Sequence, residues 1–157
     1  MIFMKTTYLL NIFDIASCAV SEFGRIITAH IKVMPNNKQV WAFIDLLDEE
    51  WAGFKRDADN STQEYRLEFS LLPLVLKITK SKYEKKEIVS ASHLEGIYFV
   101  NGKIVDKKFK TDRESDRIYV DCGFVVSMWA KKNRFKIGDW IKAEGRLDAH
   151  LVSRAKR

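Results

Sequence analysis

The chain has 157 residues, 46% hydrophobic and 12% aromatic, with 2 Pro and 7 Gly. That composition excludes a disordered or low-complexity polymer and supports one packed domain or two very small ones. The net charge of +6 is uneven: residues 1–79 hold 8 Lys/Arg against 10 Asp/Glu, and residues 80–157 hold 19 against 11, giving −2 and +8. A basic half beside a near-neutral one is the footprint of a polyanion partner; the plain alternative is a solubilising surface.

No apolar run approaches the ~18 residues that span a bilayer as a helix, so no membrane partner is expected. Ile15-Ala16-Ser17-Cys18 weakly resembles a lipoprotein cleavage site. Asn11 and Asp14 interrupt the apolar run before it, so no cleaved signal is expected. Cys18 and Cys122 lie far apart, with no Cys-x-x-Cys or Cys/His cluster. This argues against a zinc site and fits a reducing, cytoplasmic setting.

In chain order, residues 7–21 predict a helix, because Tyr8, Ile12, Ile15 and Ala19 recur at helical spacing. Arg25 to Met34 and Gln39 to Leu47 alternate across the turn cluster Pro35-Asn36-Asn37-Lys38 and predict a hairpin. Both faces of its second strand are apolar, so that strand should be covered. Asp48-Glu49-Glu50 predicts the start of a short helix through Lys55, since acids favour the first turn, and a polar loop is expected to follow to Glu64. Tyr65 to Leu72 alternates as a strand that Pro73 breaks, and Leu74, Leu76 and Ile78 continue as another. Ser81 to Lys86 reads as linker or loop, and residues 87–92 are too short to assign.

Gly96 to Phe109 predicts a long strand kinked at Gly102, followed by a charged loop from Lys110 to Arg117. Ile118 to Trp129 then alternates throughout. Ile118, Val120, Cys122, Phe124, Val126 and Met128 form the buried face, with a bend at Gly123. The other face carries Tyr119 and Trp129. Ala130 to Lys136 is a basic connection holding Lys131, Lys132 and Arg134. Gly138 and Asp139 make a turn. The last strand alternates Ile141, Ala143, Gly145, Leu147, Ala149 and Leu151 inward against Trp140, Lys142, Glu144, Arg146 and Asp148 outward.

Gly138-Asp139-Trp140-Ile141-Lys142-Ala143-Glu144-Gly145-Arg146-Leu147 resembles the late strand of OB-fold proteins of the single-stranded-DNA-binding protein and replication protein A type. The resemblance covers roughly Gly96 to Leu151. It implies a mainly β fold: an OB-like β-barrel over residues 83–157. Residues 1–82 would then be an N-terminal α+β lobe, with its helix and one or two short helices, packed on the barrel or completing it. A single domain over 1–157 is the alternative. Two departures stand out. The connection at 130–136 is too short for the helix usual between the third and fourth OB strands, and the second half is one strand short.

The candidate site is the outward aromatic and basic set: Tyr119, Trp129, Lys131, Lys132, Arg134, Trp140, Lys142 and Arg146. Bases stack on aromatic rings while cations follow the phosphates, which is what a single strand requires. The expected function is non-catalytic binding of single-stranded DNA or RNA, without cofactor or metal. The alternative is an OB-type protein-interaction subunit that docks a partner or a second copy of the chain. No phosphate loop, Gly-x-Ser-x-Gly or His-Glu-x-x-His occurs, and no enzyme activity is expected. A weaker alternative is a metal-dependent nuclease using Asp45, Asp48, Glu49 and Glu50, which read more simply as a helix-capping cluster.

Overall fold

A computed structural model describes residues 6–20, 26–45, 64–73, 78–91, 96–109 and 114–154. The described residues form strands joined by turns, with one 3₁₀ turn at Pro35–Asn37 and no α-helix. The strands are β1 (Thr7–Asn11), β2 (Asp14–Val20), β3 (Ile26–Val33), β4 (Val40–Asp45), β5 (Glu64–Pro73), β6 (Thr79–Lys80), β7 (Glu87–Ser90), β8 (Ile97–Phe109), β9 (Ser115–Asp121), β10 (Val125–Lys131) and β11 (Trp140–Arg154). The fold is mainly β. No helix among these residues is long and apolar enough to cross a membrane.

The predicted N-terminal helix is replaced by β1 and β2. β1 pairs antiparallel with β5 from Thr7 opposite Glu68 to Asn11 opposite Glu64. Tyr8 is buried against Phe69 and Phe124, and its hydroxyl accepts a hydrogen bond from the Val125 N–H at 2.8 Å. Ala19, which a helical stripe would bury, is exposed. The helical spacing is coincidental: Tyr8 is buried from β1 and Ile12 between β1 and β2, and pairing of β1 with β5 and of β2 with β3 outweighs a weak local preference. The short helix at 48–55, the loop that follows it and residues 74–77 lie outside the described residues.

The β3–β4 hairpin forms as expected, with Asn36 and Asn37 at positive φ in its turn. The run from Ile118 to Trp129 is two strands rather than one. β9 and β10 pair as a hairpin around Cys122–Phe124, where Gly123 has φ +116°. Its register places Ile118 opposite Met128 and Val120 opposite Val126, so the same parity faces inward on both sides of the turn. That is why one unbroken alternation runs through a reversal. Ser81 to Lys86 is pinned rather than loose. The Asn101 side chain donates to the Tyr83 and Lys85 carbonyls at 2.8 and 2.7 Å and accepts from the Ser81 hydroxyl at 2.5 Å. Residues 87–90, left unassigned above, pair with β8 as β7.

The pairing closes on itself. β5 runs parallel to β10, which pairs antiparallel with β9, β9 with β8, β8 with β11, and β11 returns to β5. β11 is long enough to serve β8 with Trp140–Arg146 and β5 with its second half. β4, β3 and β2 extend from β11 where Asp148 meets Phe43. Phe69, Phe124, Ile104, Ile118, Met128, Ile141 and Leu147 fill the centre. Gly102 lies so close to β9 that a Cβ there would collide with the Asp121 carbonyl, and this explains its place inside a strand.

Candidate nucleic-acid interface

The register builds one face directly. Lys108 on β8 stands opposite Arg117 on β9, and Arg117 opposite Trp129 on β10. Side chains on one face of neighbouring strands are ~5 Å apart, so these three form a continuous row. The Arg117 guanidinium lies 5.2 Å from the Trp129 ring and donates to the Ser127 hydroxyl at 2.7 Å. Trp129 keeps 42% of its surface exposed and Phe109, at the end of β8, keeps 60%. Lys132 sits 5.9 Å from the Phe109 ring. Lys107, Lys108, Phe109, Arg117 and Trp129 line a groove of about 510 Å³, and among the described residues its titratable lining groups are all cationic.

A buried acid holds the basic connection beside this groove. Asp116 is 2% exposed, accepts the Asn133 N–H at 2.9 Å and faces the Lys107 ammonium at 3.7 Å. Lys107 also donates to the Phe135 carbonyl, and the Lys132 N–H to the Glu114 carbonyl. Lys131, Lys132 and Arg134 therefore project from a fastened turn.

The eight sequence-derived residues do not gather on one surface. Trp129 lines the groove just described and Lys132 borders it at Phe109, while Lys131 is exposed at the end of β10 and Arg134 lies 5.2 Å from the Phe135 ring. Tyr119 has the outward parity yet is only 5% exposed, with the Lys108 ammonium 5.2 Å from its ring; it offers no open face for a base. Trp140 is half-buried on β11 opposite Lys103. Lys142 lines a different groove. Arg146 is engaged internally, donating to both Asp148 oxygens at 2.6 and 3.0 Å while lying 4.2 Å over the Phe43 ring. The Asp148 hydrogen bonds hold its guanidinium more basic still.

The groove around Lys142 is larger, about 710 Å³, and lies over β6, β7, β8 and β11. Exposed Tyr83, Val89 and Phe99 give it an apolar surface. Glu87 and Glu144 stand among Lys80, Lys82 and Lys142. Glu87 and Glu144 offset two of its three lysines, so the smaller groove, whose described titratable lining groups are all cationic, is better suited to hold phosphates.

From sequence the charged stretch 107–117 reads only as a loop flanking the surface, so Lys108, Phe109 and Arg117 are not singled out, whereas Arg117 lies in β9. The signal available was register: a hairpin at Gly123 places Arg117 opposite Trp129. Of the acids considered for a nuclease, Asp45 is exposed on β4, and 46–50 lie outside the described residues. Among the described residues no group of His, Cys, Asp and Glu is arranged to hold a metal ion. No protein-family model matches the chain, and no curated protein matches it.

Proposed function

We propose that this chain binds single-stranded nucleic acid non-catalytically, with low sequence specificity, on the outer face of β8, β9 and β10. The row Lys108–Arg117–Trp129, bordered by Phe109 and Lys132, carries the reading. It interleaves cations with exposed aromatic rings, and bases also stack on guanidinium planes such as that of Arg117. The pairing order supports an OB-like barrel beneath it. Counted from β8 through β9, β10 and β11 to β5, the third and fifth strands are the parallel pair and the first and fourth are neighbours. Because β5 comes first in the chain, this is a circular permutation of the five-stranded Greek-key order, whose second and third strands are the ones that bind oligonucleotides in such barrels. β5, from the N-terminal half, supplies the strand that the second half lacks. The reading needs no cofactor or membrane and suits the cytoplasm.

The test is binding of a fluorescent oligothymidine and of a duplex of equal length by the full chain and by Trp129→Ala. The single strand should bind more tightly than the duplex, and Trp129→Ala should weaken it by ~1–3 kcal/mol, the value of one stacked base. Equal affinity of the two proteins would sink this site.

The protein-interaction reading draws on the other groove, where Tyr83, Val89 and Phe99 expose apolar surface beside mixed charges. Phe99→Ala distinguishes the two: it should leave oligonucleotide affinity unchanged if the Trp129 face is the nucleic-acid site.

A further inference from the structure

Three recesses adjoin on the outer surface. Arg117 and Trp129, which line the cationic groove, also form one wall of a recess of about 320 Å³ whose far wall is Asp148 and His150. Asp148 and His150 in turn line a third recess, of about 380 Å³, with Phe43, Asp45 and Arg146. The floor between the two ends follows a single cross-strand register: Ser127 opposite Ser70, Ser70 opposite Asp148, Asp148 opposite Phe43. Serines make that floor low. The Ser70 hydroxyl is hydrogen-bonded to His150 Nε2 at 2.8 Å, which fixes it. At each end a guanidinium lies over an aromatic ring, Arg117 over Trp129 and Arg146 over Phe43.

We propose that the Trp129 face is one end of a longer single-strand track that crosses β10, β5 and β11 and ends at a second base-stacking station formed by Phe43 and Arg146. The proposal rests on the nucleic-acid reading above. From β10 to β4 is three strand spacings, ~14 Å, enough for a few nucleotides. The two ends differ in charge. Lys108, Arg117 and Lys132 bring net positive charge to the Trp129 end, where Lys107 is paired with Asp116. At the Phe43 end Asp148 neutralises Arg146, and Glu68 and Asp45 stand close by. Phosphates are therefore held at the Trp129 end, and at the Phe43 end the strand turns its bases toward the protein. Affinity at the second station comes from stacking and releases few counterions.

The test uses the full chain with a thymidine trimer and with an oligothymidine of about twelve nucleotides, within the range one OB-type site covers. Affinities are measured by competition across a salt series. Phe43→Ala should weaken the longer oligonucleotide about tenfold, leave its salt slope unchanged and spare the trimer, which fills only the cationic end. Ser70→Gln raises the floor without adding charge and without touching either ring. It should give the same loss for the longer oligonucleotide alone, and it decides the matter if Phe43→Ala fails to fold. Trp129→Ala should weaken both ligands. If the longer oligonucleotide responds to Trp129→Ala but not to Phe43→Ala or Ser70→Gln, the track ends at Trp129 and the proposal falls while the nucleic-acid reading stands. If the unaltered chain binds neither oligonucleotide, the nucleic-acid reading itself falls, and the track with it.

Discussion

Tyr119 and Trp129 share the outward parity of two paired strands, yet one is buried and the other exposed. Parity assigns a side of the sheet; whether that side is open depends on what lies across it. Tyr119 sits mid-strand beneath Lys108, whereas Trp129 stands near the end of β10. Arg146 shows the same limit for a charge. Its outward position was legible, but its commitment to Asp148 was not, because an Arg-x-Asp spacing brings two side chains to one face without fixing their pairing. The consequence is measurable: Arg117→Ala should reduce the salt slope of oligonucleotide binding by about one unit, and Arg146→Ala should leave it unchanged. Alternation alone placed Cys122 in the core, although it lies in the β9–β10 turn rather than within a strand. It is fully buried and donates to the Phe124 carbonyl, and burial pushes its thiol up to about 12. The unfolded chain therefore loses this proton at lower pH than the native one. The stability that the neutral buried thiol contributes is whole below pH ~9 and falls as pH rises from there toward 12, by up to ~1.4 kcal/mol per pH unit. Melting temperatures of the native chain and of Cys122→Ala across pH 8 to 11 should show the alkaline decline flattened in the variant. Native Cys122 should also resist thiol reagents until denaturant is added.

Elements with strict alternation and clear turn residues were readable: the β3–β4 hairpin, β8 and β11 all follow from a period of two bounded by turn residues or glycine. Two kinds of element were not. β1 and β2 are short, and their apolar residues happen to repeat at three and four; the pairing of β1 with β5 and of β2 with β3 decides their conformation. β9 and β10 read as one strand because the hairpin register preserves parity through the turn. Gly123 marks that turn, and its φ of +116° lies where an L side chain is strained. Gly123→Ala should destabilise the chain by ~1–2 kcal/mol in denaturant unfolding; a neutral effect would count against the turn. At the other end of the chain, Tyr8→Phe keeps the ring against Phe69 and removes only the hydroxyl that accepts from Val125. It should cost ~1–3 kcal/mol, because the buried Val125 N–H loses its partner. A helix at 7–21 would place no such bond across the molecule.

For the whole molecule, the second half carries most of the positive charge but cannot complete its own sheet. β5 lies between β10 and β11, and without it both strands keep an unpaired edge. A fragment of residues 83–157 should accordingly show no cooperative unfolding, while the full chain unfolds in one transition. The pairing of β5 with β10 and β11 was not legible in the sequence, because parallel pairing between distant segments leaves no local pattern. Outward position was legible for Trp129 and Lys142, but which outward residues meet was not, because distance around a closed ring of strands cannot be read from position along the chain. The central claim is that a polyanionic single strand sits on the Lys108–Arg117–Trp129 face. The most direct measurement is the affinity of the full chain for a labelled oligothymidine as salt is raised. With four to five cations reaching phosphates, and ~0.7 of a counterion released per contact on a single strand, log affinity should fall against log salt with a slope of about −3. Absence of binding at low salt, or an affinity indifferent to salt, would contradict the account.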